Sequence, residues 1–296
     1  MQPSPRTPLL ASLAAAFVLT ACAASPARDG FEDPPASDSE SNAPAPSNPP
    51  GSLGEQQPPD ANPPPEVAEV FGHSADTLYR LDPVTKGVNV VGDFDGCSPV
   101  IDIALDEKST LIAASYQALY RVDKATASCT EIAKGDYPNS LSFVPKGTVD
   151  ANEEALVGYD GGDYLRIDVA TGSTTKIGAL GGSFVSSGDI VSVKGGKTYL
   201  TVKGSTCSNN DCLVEVDPRT GKMLKNWGSI EHAKVFGLSF WGGKIYGFNE
   251  TGSLFEVTFG TNQLATTAIP IPSKPSGLSF WGAGSTTSAP LVANPQ

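Results

Sequence analysis

The sequence predicts an all-β fold, a closed ring of five four-stranded repeats, and three observations carry that reading. Glycine (31) and proline (25) are abundant, and too few good helix formers lie between them for a helical bundle. One pattern of alternating apolar residues recurs five times. The first repeat opens at its second strand, whereas the chain finishes with a spare first strand, so the two ends complete each other.

The segment before the ring comes first in the chain. MQPSPRTPLLASLAAAFVLTAC carries one charge at Arg6, an apolar stretch from Leu9 to Leu19, and then small residues. That order is a secretory signal peptide (1–21), too short for a membrane span. Its end, Leu19-Thr20-Ala21-Cys22, resembles the lipobox of bacterial lipoproteins. The resemblance implies acylation (palmitate) of Cys22 as the mature N-terminus, and Ala23 fits that family's sorting rule for the outer membrane. Several acyl chains, at ~0.8 kcal/mol per buried methylene, would anchor the protein durably in the cell envelope.

Residues 22–65 hold 12 of the 25 prolines with Ser, Ala and Asn, and almost nothing apolar. Such a segment cannot bury enough surface to offset its ordering, and a disordered tether is expected. At ~3.1 Å per residue its fully extended reach is on the order of 100 Å. It carries one arginine against seven carboxylates, so half of the chain's net charge of -12 sits there. The whole chain, 20 Lys+Arg against 32 Asp+Glu, offers no basic surface for nucleic acid.

The repeat domain is expected over 66–282, with a tail at 283–296. Its third strands read Leu78-Tyr-Arg-Leu-Asp82, Leu119-Tyr-Arg-Val-Asp123, Tyr164-Leu-Arg-Ile-Asp168, Leu213-Val-Glu-Val-Asp217 and Leu254-Phe-Glu-Val-Thr258, at intervals of 41, 45, 49 and 41. A period of ~40 to 50 with strand alternation is that of four-stranded blades, so the expected fold is a five-bladed β-propeller. DPVTKG, DKATAS, DVATGS and DPRTGK follow four of these strands as hairpin turns, with Gly87, Gly172 and Gly221 expected to supply positive φ. Inner strands align as Ile103–Leu105, Leu141–Phe143, Val191–Val193, Leu238–Phe240 and Leu278–Phe280. Second strands align as Val70–His73, Leu156–Tyr159, Tyr199–Val202 and Ile245–Phe248, with Leu111–Ser115 in the second blade. Pairing Ser276–Trp281 with the first blade would close the ring and remove two exposed edges, an arrangement that resembles closure across β-propeller families.

With Cys22 assigned to lipid, four cysteines remain. Cys207 and Cys212 flank a four-residue loop and suit a disulfide; Cys97 and Cys129 pair by elimination, although they could sit at opposite ends of a blade. No Cys-x-x-Cys spacing, histidine cluster, nucleophile elbow or phosphate loop occurs, so no metal or cofactor is expected. Asp93-Phe-Asp95-Gly96 and Asp160-Gly-Gly-Asp163 offer too few oxygens for calcium and read as turns. His73, aligned with Tyr159 and Phe248, reads as a half-buried packing residue.

Binding candidates come from comparing repeats. The ends of the inner strands align Asp106, Val144, Lys194, Trp241 and Trp281, a position too varied to be core, and ring closure would bring Trp241 and Trp281 together near Lys194. Paired aromatics suit a sugar ring or a protein anchor; alternatively both simply cover the closure. The leading expectation is a monomeric, non-enzymatic envelope lipoprotein binding a protein or glycan. The alternative is a glycan hydrolase using Asp102 and Asp189, which precede inner strands and could reach the channel.

Overall fold

The computed structural model describes residues 68–293; the expected signal peptide (1–21), Cys22 and the tether (22–65) lie outside the described residues. Within that range the chain forms five antiparallel four-stranded blades arranged as a five-bladed β-propeller, without a helix. Blade one contains β1 (Val70–His73), β2 (Thr77–Leu81) and β3 (Val88–Asp93); blade two contains β4 (Asp102–Leu105), β5 (Leu111–Ala114), β6 (Ala118–Val122) and β7 (Cys129–Lys134). Blade three runs through β8 (Leu141–Val144), β9 (Ala155–Asp160), β10 (Asp163–Ile167) and β11 (Thr174–Ala179). Blade four comprises β12 (Val185–Ser192), β13 (Thr198–Lys203), β14 (Cys212–Val216) and β15 (Met223–Ser229), and blade five β16 (Val235–Trp241), β17 (Lys244–Asn249), β18 (Leu254–Phe259) and β19 (Leu264–Ile269). The last strand, β20 (Gly282–Ser285), joins blade one.

The inner strands are buried on both faces because each blade packs against two neighbours. In β4, Ile103 and Leu105 enter the cluster shared with blade one, while Ala104 enters the cluster shared with blade three. Period-two alternation therefore sorts side chains between two cores rather than between core and water.

Closure differs from the sequence expectation. Ser276–Trp281 is not the closing strand; β20 is, with Val70 opposite Ser285 and His73 opposite Gly282. The Gly-Leu-Ser-Phe-Trp-Gly run of residues 237–242 recurs at 277–282, but the second copy is the crossover leading into β20. Phe280 leaves the strand and packs edge-on against Phe248 and Tyr79, at ring separations of 5.0 and 6.0 Å. Residues 286–290, expected as tail, are ordered against the ring: Thr286 N donates to Glu69 O and Gly242 N donates to Pro290 O.

Two smaller corrections follow from strand register. In blade four, Thr198 opposes Val216 as Ile245 opposes Val257, so the repeat unit is Thr198–Thr201 and the inner strand matches from Ile190, one residue earlier than expected. In the outer turns, the left-handed position is occupied by Lys86, Ala127, Gly172 and Gly221, and Gly87 does not adopt it. Each of these turns is fixed by the preceding aspartate. Asp82 Oδ1 accepts from Val84 N and Thr85 N, as Asp168 Oδ1 does from Ala170 N and Thr171 N.

The outer strands show a further regularity. In blades one to four the register slips at one equivalent place, passing over Val91, Ile132, Ile177 and Trp227. Each skipped residue is apolar and turns into an interblade cluster. Blade five has no slip: β18 and β19 pair continuously from Leu254–Ile269 to Phe259–Leu264.

Both disulfides form, Cys97–Cys129 with Cα atoms 5.8 Å apart and Cys207–Cys212 at 5.4 Å. The feared distance for the first pair vanishes because the crossover runs beside the start of β7. Asp95 N donates to Ala127 O and Cys129 N donates to Asp95 O.

Candidate functional site

Three regions follow from this frame: the ring axis, the face where inner strands end, and the face where they begin. Aligned by register, the first position of the five inner strands is Gly282, Asp102, Ser140, Asp189 and Gly237. The structure thus places Asp102 and Asp189 at equivalent points on the axis, as the hydrolase reading required. Both are fully buried, however.

Their oxygens are occupied in one repeated arrangement. Asp102 Oδ1 accepts from Ile103 N at 2.8 Å and Oδ2 from Leu141 N of the next blade at 2.6 Å. Asp189 Oδ1 accepts from Ile190 N at 2.6 Å and Oδ2 from Leu238 N of the next blade at 2.7 Å. Each carboxylate staples its own inner strand to its neighbour's. His73 Nδ1 lies 2.8 Å from Ser74 O, and its Nε2 stands 3.9 Å from Asp102 Oδ1. The imidazole is completely buried rather than half-buried.

Burial pushes the Asp102 carboxyl up from the ordinary 3.8 to about 6, against the lowering effect of His73 and the two amides. Burial, reinforced by the nearby Asp102 charge, holds the Asp189 carboxyl well above the usual range. A raised carboxylate pKa often marks catalysis, but here both carboxylates are fully buried and each of their oxygens already accepts a backbone N–H. The arrangement clamps blades together.

The tryptophans do not pair. Trp241 ends β16 opposite Lys244 and packs, half-buried, against both the cluster shared by blades four and five and the one shared by blades five and one. Trp281 precedes β20, and its N–H donates to His73 O. By register Trp281 matches Phe236, five residues before Trp241, so the two positions are offset by roughly 16 Å of backbone along the strand direction and belong to opposite faces of the ring. Lys194 lies one residue beyond the aligned strand end, which is Val193, and its N–H donates to Thr287 O at 2.8 Å. The position after the inner strands therefore holds Asp106, Val144, Val193, Trp241 and Thr286.

On this exit face the centre is covered by Thr286, Thr287, Ser288 and Ala289, all buried. Beside that cover, between blades two and three, is a cavity of about 430 Å³. Its floor is Ile112, Phe143 and Val169, and its rim includes Lys108, Arg121 and Lys146. These three cations have no side-chain partner among the described residues. The acids facing them are engaged: Asp106 Oδ1 accepts from Lys108 N and Thr110 N, and Glu153 lies 3.7 Å from Arg166. Glu154 Oε2 accepts from Glu107 N, and its Oε1 accepts from the Thr287 hydroxyl of the cover. Burial pushes the Glu154 carboxyl up. Of the four acids lining this cleft, Glu107 alone has a carboxylate without a partner among the described residues.

Sequence reasoning singled out Asp106 in this cleft but missed Arg121 and Lys146. Arg121 aligns with Arg80 and Arg166, which are ion-paired to Glu69 and Asp150. The missing counter-ion is visible only in three dimensions. On the opposite face a smaller cleft of about 220 Å³ includes the exposed Tyr116 with Asp136, Asn139 and Asp160. Among the described residues no group of three or more His, Cys, Asp or Glu side chains is arranged to hold a metal.

No family model matches the chain, and no curated protein does. Among solved structures it is similar to a chain of a nidogen/laminin complex, at 12% identity over 77% of this chain and 100% of that one, with a TM-score of 0.48. It is similar to BamB from Moraxella catarrhalis at 11% identity, over 66% of this chain and 62% of that one, with a TM-score of 0.34. For the PQQ-bound aldose sugar dehydrogenase from Streptomyces coelicolor the values are 14%, 70%, 86% and 0.40. At such scores the likeness carries no argument about activity.

Proposed function

We propose that this chain is an extracytoplasmic, non-enzymatic binding propeller, lipid-anchored at Cys22, that takes an anionic glycan segment in the cleft between blades two and three. The observation carrying the reading is the set of three cations without a side-chain partner, Lys108, Arg121 and Lys146, around an apolar floor; of the four acids beside them Glu153 is paired to Arg166 and burial pushes the Glu154 carboxyl up, leaving Asp106 and Glu107 as the opposing charges. A cavity of about 430 Å³ is in the size range of small-ligand sites, and an Ile112–Phe143–Val169 floor suits the flat face of a sugar ring. Charges left without partners are available to a ligand at no cost in broken ion pairs. Two disulfides support an oxidising compartment, and the lipobox supports the anchor. Channel hydrolysis finds no support in carboxylates whose oxygens are taken by backbone amides.

The test is calorimetric titration with a polyuronate and with a neutral glucan of equal length. Binding of the polyuronate alone is expected, weakening as salt rises. Arg121→Ala with Lys146→Ala should reduce affinity by about a hundredfold or more, since hydrogen bonds to charged groups contribute ~1.5 to 3 kcal/mol each. Equal binding of both glycans, or an unaffected variant, would sink the assignment. Separately, Cys22→Ser should move the full chain from the membrane fraction to the soluble one; an unchanged distribution removes the anchor.

A further inference from the structure

Every blade of a ring ends outward in an unpaired strand, and such edges recruit other chains unless something blocks them. Four of the five outer strands are blocked in two ways at once. β3, β7, β11 and β15 each carry the bulge described above, and each contains at least one ionisable side chain: Asp93, Glu131 with Lys134, Lys176, and Lys225. The edge of β7 is also covered near its start by the Asp95–Ser128 bridge, and Met223 at the start of β15 donates its N–H to Leu180 O. β19 has none of these protections. It reads Leu-Ala-Thr-Thr-Ala-Ile, six regularly paired residues with neither charge nor bulge nor proline.

The phase of its free edge can be read from the hairpin. Gly260 N donates to Gln263 O at 2.8 Å, so the inward hydrogen-bonded pairs are Thr258–Ala265, Glu256–Thr267 and Leu254–Ile269. Leu264, Thr266 and Ala268 therefore direct their N–H and C=O groups away from the blade.

We propose that β19 is a dimerisation edge, pairing antiparallel with β19 of a second copy to make one continuous eight-stranded sheet. A two-fold axis normal to the sheet keeps each side chain on its face, so a residue can oppose only one of the same parity. The register that uses all three outward residues centres on Thr266. It sets Thr266 against the partner's Thr266 and Leu264 against the partner's Ala268, on both sides of the axis. A large residue meets a small one, hydroxyl meets hydroxyl, and no like charges face each other. This self-complementarity selects a second copy over an unrelated strand. One strand pair buries less than the ~1,200 Å² of a standard interface, so association is expected to be weak and concentration-dependent.

The experiment is sedimentation equilibrium over a wide micromolar range, using the full chain with Cys22→Ser to remove any contribution from lipid. The unmodified edge should give a monomer–dimer equilibrium. Thr266→Lys and Thr266→Glu, which place like charges face to face at the axis, should each be monomeric with an unchanged melting temperature. An equimolar mixture of the two should recover dimer, a result that misfolding could not produce. A monomer at every concentration leaves the edge to other proteins and overturns the proposal. So does a dimer that Thr266→Lys leaves intact, or a mixture that stays monomeric.

Discussion

A chain ending at Trp281 should not fold. β20 supplies the inner strand of blade one, so truncation leaves β1 with a free edge facing the ring centre and removes the cover formed by residues 286–290. It also cuts the tie between Thr286 N and Glu69 O that holds the two ends of the domain together. All four residues of β20 are buried, and their loss exposes Phe71, Leu105 and His73 beneath them. The combined loss should exceed the ~5 to 15 kcal/mol by which domains are normally stable. Circular dichroism melts of the truncated chain should show no cooperative transition, and limited proteolysis should digest it completely. A chain ending at Leu291 retains β20 and the cover, and should melt near the intact protein. A folded protein ending at Trp281 would show that Ser276–Trp281 closes the ring after all.

The second large effect concerns the axial staples. Asp189→Ala strips the acceptors from Ile190 N and Leu238 N, both on fully buried residues. Two buried donors left unpaired, at ~1 to 3 kcal/mol each, should lower stability by about 2 to 6 kcal/mol in chemical denaturation. Asp102 adds a pH signature. Its pKa is higher folded (about 6) than unfolded (3.8), so the native state holds the proton more tightly and stability from this group falls as pH rises through that window. Denaturation midpoints measured from pH 4 to 7 should decline in the unmodified protein. In Asp102→Asn they should be lower throughout but flatter across that interval. A midpoint that rises through this window in the unmodified protein, and keeps rising in Asp102→Asn, would place the titrating groups elsewhere.

The number of blades and the order of their strands were legible because the third strand of each repeat must satisfy two opposing constraints at once. It packs apolar residues against both neighbouring blades and, in four of the five repeats, is followed by an aspartate that shapes the next turn, so its pattern survives repetition. The closing strand was illegible for the opposite reason. Gly-Ala-Gly-Ser has no hydrophobic alternation because little space exists for side chains: a Cβ on Gly282 would overlap His73 Nε2 and Asp102 Oδ1, and one on Gly284 would meet Leu105 Cδ1 at 2.9 Å. The nearby Leu278-Ser-Phe280, apolar and matching Leu238–Phe240 residue for residue, offered a better pattern in the wrong place. That single displacement created the supposed Trp241–Trp281 pair. A one-residue slip in blade four likewise promoted Lys194 into a position that Val193 occupies. The cleft eluded the sequence because it is defined by counter-ions that are absent near Arg121 but present near Arg80 and Arg166.

The staples also have an arithmetic consequence. Each axial aspartate joins two blades, Asp102 tying the second to the third and Asp189 the fourth to the fifth. A ring with an odd number of members cannot be divided wholly into couples, and the one left over is blade one, whose own axial residue is Gly282 and whose blade-five neighbour offers Gly237 where a carboxylate would otherwise stand. It is also the blade assembled from both chain ends. The molecule is thus two bonded pairs and a keystone, and the keystone, with no axial carboxylate of its own, is held by sequence-distant strands meeting and by His73 standing 3.9 Å from Asp102.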